Sequence, residues 1–418
     1  MNKQRRSNYF NQVDNMSLSV FYSGFAPHLS ADAFYPFQVN RNFWYLSNIN
    51  QDNAILLMAK SNNLSESYLF IKKIDPVEAL WVGESLTFEK ASELSGIPYE
   101  NIRDIQTFDA FFSSLLTQSR RALFGTIEKV YFDIERQSFT DQALLGERKA
   151  SEFMQKYPHL NLKNAHPILA FLRSSKDEAE IKQIQGAIQI SKVANLHLLD
   201  SIKHAKNEFD LATEFNYVLN KHRTVPSFGS IIAGGKNATI LHYEHHDQDL
   251  NQGDLVLLDL GVRYQQYASD ITRTYPINGK FSQRQKEVYQ AVLNVNKAII
   301  QWVKAGVTQF EYNEKGKELL AKEAKALGLI KEDVELIKYY YHGLGHALGL
   351  DVHDVGNPQL PFRVGQVITV EPGLYISEEG IGVRIEDNLL LTETGCINLS
   401  SEIIKEVSDI EAYMKHTK

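Results

Sequence analysis

Asp259 and Asp270 lie inside two runs, Leu255 to Val262 and Tyr267 to Tyr275, that are rich in Val, Leu, Ile, Thr and Tyr and read as strands. A hairpin turning near Tyr264 and Gln265 sets position 259 opposite 270. Cross-strand partners share a face, with Cβ atoms about 5 Å apart. Two carboxylates at that spacing repel, and burying them unpaired is costly, so a cation is expected between them, a divalent metal being the natural choice. The alternative is two acids on a solvated sheet face, because Tyr-Gln is not a favoured tight-turn pair.

A second acid pair follows the same plan. Glu371 in VITVEPGLYI and Glu386 in GIGVRIEDNLLLT are symmetric about a turn at Ser377 to Gly380, with Pro372 confined to an edge or bulge. Between the pairs, His342, His346 and His353 share a segment with Gly343, Gly345 and Gly349. The glycines argue against a helical zinc-protease motif, and no Glu follows the first His. A lone His is more often structural, but three beside two acid pairs read as a site. Four carboxylates with one imidazole form an oxygen-rich set suited to Mn, Co, Fe or Zn. The carboxylate count is high for one ion. Two ions about 3.5–4 Å apart share bridging carboxylates and a water that loses a proton near neutral pH, giving hydroxide beside a polarised carbonyl. Metal-assisted hydrolysis is the reaction class that follows.

The elements that must hold these residues repeat. Ser175 and Glu178 read as a capping box before Ile181, Ile184 and Ile188 at helical spacing, and an amphipathic stretch follows from Glu208 to Arg223. After the first hairpin, Ser282 and Gln285 start a helix with Val288, Val292, Val295 and Ile299 on one face, stopping near Gly306. Thr308 and Glu311 start another that ends near Gly328. Each half thus supplies two helices and an acid-bearing hairpin, which points to an internal duplication. Upstream, LSVFYSGF, FWYL, AILLMA, YLFIKK and KVYFDI read as strands, and Ser85 to Leu94 and Phe108 to Ala122 as helices, in an α/β unit with a mixed sheet. The aromatic cluster Phe34, Tyr35, Phe37, Phe43, Trp44 and Tyr45 is expected in its core. The texture changes near Leu172, giving two domains, 1–172 and 173–418.

At 418 residues the chain is too long for one ordinary core. Its 43% hydrophobic and 23% charged residues are those of a soluble globular protein, and a net charge of -7 argues against non-specific nucleic-acid binding. The lone Cys396 excludes an intramolecular disulfide and a cysteine cage, and reads as an ordinary buried cysteine. The basic start, MNKQRRSNYFNQVDN, is followed by no apolar h-region, so no signal peptide is expected. No apolar run approaches the ~20 residues of a membrane span. A cytoplasmic protein, with neither membrane nor nucleic acid as partner, is the expectation.

The segments GDLVLLDLG, SDITRTYP, HGLGHALGLDVHDVG, VITVEPGLYI and GIGVRIEDN resemble, in order, the five metal-site segments of the pita-bread metallopeptidases. ILHYEHHD and INGKFSQRQKEVYQAV are more similar to Xaa-Pro aminopeptidases (aminopeptidase P) and Xaa-Pro dipeptidases (prolidases) than to methionine aminopeptidases. The likeness continues upstream through SADAFYPFQVNRNFWYLSNIN and DPVEALWVG, and so covers nearly the whole chain. It implies an α/β (α+β) protein, an N-terminal mixed-sheet domain serving oligomerisation and cleft access, then a pita-bread catalytic domain.

The resemblance implies further that Asp259, Asp270, His346, Glu371 and Glu386 hold two divalent ions, manganese first, with cobalt, zinc or iron as alternatives. Asp270 and Glu386 would bridge the ions, Asp259 would bind one, and His346 with Glu371 the other. Glu371 would assist proton transfer from the bridging water. His242, His342 and His353 would line the substrate cleft, and Arg384 would fix a carboxylate or the substrate with Tyr375 nearby. Asp32 and Trp81 match positions that reach a neighbouring subunit's active site, which suggests a homo-oligomer, dimer or tetramer; as isolated residues they would be a surface cap and core. The implied substrates are peptides with proline second. A bond to the proline nitrogen is a tertiary amide without an N–H, so a peptidase that grips an extended strand through that N–H loses a contact there. The alternatives are a dipeptidase restricted to Xaa-Pro and a non-catalytic peptide-binding pita-bread module. The hairpin between Tyr375 and Gly382 is shorter than in many aminopeptidases P, and HGLGHALG fits aminopeptidase and dipeptidase members equally.

Overall fold

The computed structural model describes residues 2–73, 76–116, 123–136 and 138–416. They divide into two compact units, Met1–Arg173 and Ser174–Lys418.

The first unit is built on a six-stranded mixed sheet, in the order Ile102–Asp104, Ser65–Ile71, Ile55–Lys60, Ser17–Tyr22, Lys129–Phe132 and Asn161–Asn164. The pairs flanking Ile55–Lys60 are antiparallel and the outer three parallel. Leu18, Val20, Leu57, Phe70, Val130 and Phe132 pack on one face against Phe108, Phe112 and Phe153. FWYL is not a strand. It lies in the helix Arg41–Ser47, where the Asn40 side chain accepts from the Phe43 N–H and fixes the first turn. The aromatic cluster divides as well: Phe43, Trp44 and Tyr45 are buried, whereas Phe34 and Tyr35 are exposed and Phe37 is half-buried. The expected helices appear as Phe88–Ser95 and Phe108–Leu116; residues 117–122 lie outside those described. Asp32 is exposed, and Trp81 is 85% exposed on the helix Pro76–Val82, so it is not core.

The second unit begins with the helices Glu178–Ser201 and Glu208–Lys221. The capping box of the first is Asp177 with Glu180, two residues beyond the expected Ser175 and Glu178. The helices Gln283–Trp302 and Gln309–Ala326 have the expected Ser282–Gln285 and Thr308–Glu311 boxes, and Val288, Val292, Val295 and Ile299 are all buried. Cys396 is only partly buried, its Sγ 3.2 Å from the Ile300 carbonyl, and burial pushes its thiol up to about 11.

Both acid-bearing hairpins are present. In the first, strands Leu255–Leu260 and Ile271–Pro276 pair Asp259 with Thr272 rather than Asp270. The same register continues through Arg263↔Ala268 and Tyr264↔Tyr267 to a two-residue turn at Gln265 and Gln266, both at positive φ (48° and 71°). The expected register was therefore out by two, which leaves Asp259 and Asp270 on one face because side chains alternate with period two. In the second hairpin the register is as expected: Val370↔Asp387 and Gly373↔Arg384 bracket Glu371 and Glu386. Both glutamates lie where the ladder is interrupted, Glu371 beside Pro372. The hairpins meet through Glu386 N–H to the Thr272 carbonyl (3.0 Å) and through Asn388, which bonds both backbone polar groups of Asp270.

Candidate metal centre

The meeting of the hairpins brings the five predicted ligands into one cleft of about 430 Å³, also lined by His242, His342, His353 and Arg384. His346 Nε2 is 3.3 Å from Asp270 Oδ2 and 3.7 Å from Glu371 Oε1. Asp270, His346 and Glu386 offer donor atoms within 4.8 Å of one another.

Three of the four acids have one oxygen engaged by a protein donor. Asp259 Oδ2 accepts from Arg384 Nη2 at 2.7 Å, Glu386 Oε2 from the Thr272 hydroxyl at 2.7 Å, and Glu371 Oε1 from the Thr369 hydroxyl at 3.4 Å. The other oxygens of Asp259, Asp270 and Glu386, all buried, have no hydrogen-bond partner. Burial, and then the charges of Asp259 and Glu371, push the Asp270 carboxyl well above the carboxylate range; burial, Asp270 and Glu371 do the same to Glu386. Burial also raises Glu371, against the pull of His346 and Arg384. Orphaned buried oxygens and crowded like charges require a compensating cation, and this oxygen-rich set with one imidazole fits a divalent one.

The imidazole is prepared for that role. His346 Nδ1 lies 3.1 Å from the Ala347 carbonyl, so it carries the proton and leaves the Nε2 lone pair facing the acids. The glycines explain the loop's path: a Cβ on Gly345 would come within 2.1 Å of the Thr369 carbonyl, and one on Gly349 within 2.1 Å of Asp354 Oδ2. His342 is fixed in the same tautomer, with a different partner at Nε2. Its Nδ1 donates to the Gly343 carbonyl at 2.7 Å, and its Nε2 accepts from the Tyr375 hydroxyl at 2.8 Å. The same hydroxyl accepts from Arg384 Nη1 at 2.9 Å. Burial and then Arg384 press the His342 pKa down to about 4, so the ring is neutral at neutral pH. His353, edge-on to His346 with centroids 4.3 Å apart, is also lowered, first by burial and then by His346.

Comparison with known proteins now decides the family. Residues 182–393 match the model of metallopeptidase family M24, and residues 2–124 that of the aminopeptidase P N-terminal domain. A Haemophilus influenzae Xaa-Pro aminopeptidase is 35% identical over 99% of this chain and 96% of its own. The chain belongs to metallopeptidase family M24. Among solved structures, one from Bacillus anthracis is 40% identical with a TM-score of 0.95, covering 100% of this chain and 98% of that one. Escherichia coli aminopeptidase P with the inhibitor Pro-Leu is 30% identical at a TM-score of 0.88, with the same coverage. The M24 fold and the donor set at Asp270, His346 and Glu386 make this a divalent-metal enzyme.

Several side chains that complete the M24 site escaped the sequence reading. Thr272 and Thr369 each stand two residues from an acid of the site, Asp270 and Glu371, and period-two spacing is the signal that would have found them. Glu208, fully buried at a helix start, carries no such signal. Its Oε1 accepts from Gly234 N (2.8 Å) and Asn237 Nδ2 (3.0 Å), and its Oε2 from the Tyr243 hydroxyl (2.7 Å) and Gln248 N (3.2 Å). These bonds pin the segment that carries His242.

Proposed function

We propose that this chain is a metal-dependent Xaa-Pro aminopeptidase, releasing the residue ahead of proline from peptide N-termini. The observation that carries the reading is the convergence of three unpartnered carboxylate oxygens with the free Nε2 of His346 in one cleft. Asp259, Asp270, His346, Glu371 and Glu386 would hold two divalent ions; the oxygen-rich set suits manganese, and also cobalt, zinc or iron. Divalent ions held there would supply Lewis acidity toward an attacking water and the scissile carbonyl. Glu371, its affinity for protons raised by burial, takes a proton and delivers it to the departing proline nitrogen. Arg384 holds Asp259 in place, and through Tyr375 fixes His342 as a neutral ring on the cleft wall. His242 and His353 line the same wall, where they steady the scissile carbonyl and the tetrahedral intermediate.

His242 and His353 are exposed at this cleft, which favours peptides longer than a dipeptide. The first unit supports a homo-oligomer, dimer or tetramer, in which Asp32 and Trp81 serve a neighbouring copy: Val77, Leu80 and Trp81 are 67%, 86% and 85% exposed on one helix. Among the described residues no helix is long and apolar enough to cross a membrane, which is compatible with a cytoplasmic enzyme. The test is hydrolysis of Xaa-Pro and Xaa-Pro-Yaa peptides before chelation, after it, and after metal add-back. Metal-dependent release of the first residue from the tripeptide is expected. Turnover of the dipeptide alone would make the chain a prolidase, and no turnover in any state a peptide-binding module.

A further inference from the structure

The aminopeptidase reading, on which this inference rests, leaves one acid of the cleft without a task. Glu244 lies on the cleft wall with Phe228, Gly229, Leu241 and His242. Of the other carboxylates there, Asp259, Glu371 and Glu386 accept a hydrogen bond within 3.4 Å, and Asp270 faces His346 at 3.3 Å deep in the cleft. The Glu244 carboxylate has neither a hydrogen bond nor an ion pair among the described residues. Among the described residues the one arginine lining the cleft, Arg384, is committed to Asp259, Tyr375 and Thr272 and cannot neutralise it.

Position supplies the rest of the argument. Asp259, Asp270 and Glu386 are no more than 9% exposed, whereas Glu244 is exposed and thus nearer the mouth. An exopeptidase cutting after the first residue has only that residue upstream, so the remainder of the peptide must run outward past the mouth. The carboxylate is also seated closely. Both its oxygens lie over Gly229, where a Cβ would approach them to 2.5 and 2.7 Å. We propose that Glu244 is a specificity-determining residue that selects peptides with Lys or Arg in the first two positions after the proline. An unpaired anion in a partly enclosed cleft attracts such a side chain and repels Asp or Glu.

The metal-loaded full chain is assayed on Ala-Pro-Arg-Ala, Ala-Pro-Ala-Arg, their Glu counterparts and Ala-Pro-Ala-Ala. Expected is a basic-over-acidic preference in kcat/KM of about threefold to fivefold, the factor an exposed ion pair supplies. It should be carried by KM and shrink as ionic strength rises. Glu244→Gln should bring the ratio close to one. Gly229→Ala keeps the charge but displaces the carboxylate, and should lower the ratio as well. A wild-type ratio of one or less, or a ratio unchanged in Glu244→Gln, overturns the proposal while leaving the aminopeptidase reading intact. Failure to hydrolyse any of the five peptides, the neutral one included, overturns both.

Discussion

Thr272 is a small residue with a large share in the centre. Its hydroxyl donates to Glu386 and accepts from Arg384 Nε at 3.2 Å, so it couples an acid of one hairpin to the arginine that holds an acid of the other. At this scale Glu371 carries the clearest chemical expectation. Glu371→Gln keeps the shape of the side chain but cannot carry the proton; kcat should fall at least about 100-fold with an unchanged circular-dichroism spectrum. His342 gives a pH signature. Its folded pKa of about 4 lies below the ~6.5 of an unfolded histidine, so the unfolded chain binds the proton first. Stability should therefore decline as pH falls below about 6.5 and level off near 4, by on the order of 3 kcal/mol at most. Urea unfolding at pH 7 and pH 5 should show a smaller decline in His342→Gln than in the parent protein.

Among the elements, the two hairpins mark what a sequence can and cannot tell. The second was legible to the residue because Ser377 to Gly380 is a recognisable turn, with Gly380 at a φ of 64°. The first was misread by two positions because Gln265 and Gln266 have no turn signature, and a shift of two leaves the apolar alternation unchanged. FWYL failed for a related reason: four apolar residues fit a strand or a buried helix, and only Asn40 marks the helix start. The acids and histidines of the site were legible as residue types in a pattern. The threonines were marked only by their period-two spacing from an acid, and Glu208 by nothing, since its role exists only once separate elements touch. Glu208→Gln tests the element scale. An amide cannot accept from four donors, so about 2–3 kcal/mol of stability should be lost. Because the segment pinned by Glu208 carries His242, kcat/KM should fall too, measured on a neutral Xaa-Pro-Yaa peptide at a temperature where the variant stays folded.

For the catalytic unit as a whole, the buried Arg273 holds the two halves together. From the first hairpin it reaches Asp387 of the second at 2.8 Å, the Glu386 carbonyl at 2.6 Å, and the Ile403 and Ile404 carbonyls near the chain's end. Lys405 closes the cluster by bonding both Asp387 and Asn296. Burial pushes the Asp387 carboxyl up, but Arg273 and Lys405 overcome it and hold it well below the usual range. A depressed acid contributes stability above its unfolded pKa of ~3.9 and loses it as pH falls through the folded value, so this second acid-sensitive window opens only below about pH 4. Asp387→Asn leaves Arg273 buried without its counter-charge and should cost about 3–5 kcal/mol in denaturant titration at pH 7.

The acids are shared evenly between the repeats: Asp259 and Asp270 from one, Glu371 and Glu386 with His346 from the other. Neither repeat owns a complete set of donors. A backbone severed between Pro276 and Gln283, in the connection joining the repeats, would yield two pieces that recover affinity for the cation only by finding each other. The ion would then serve as a gauge of their reassembly.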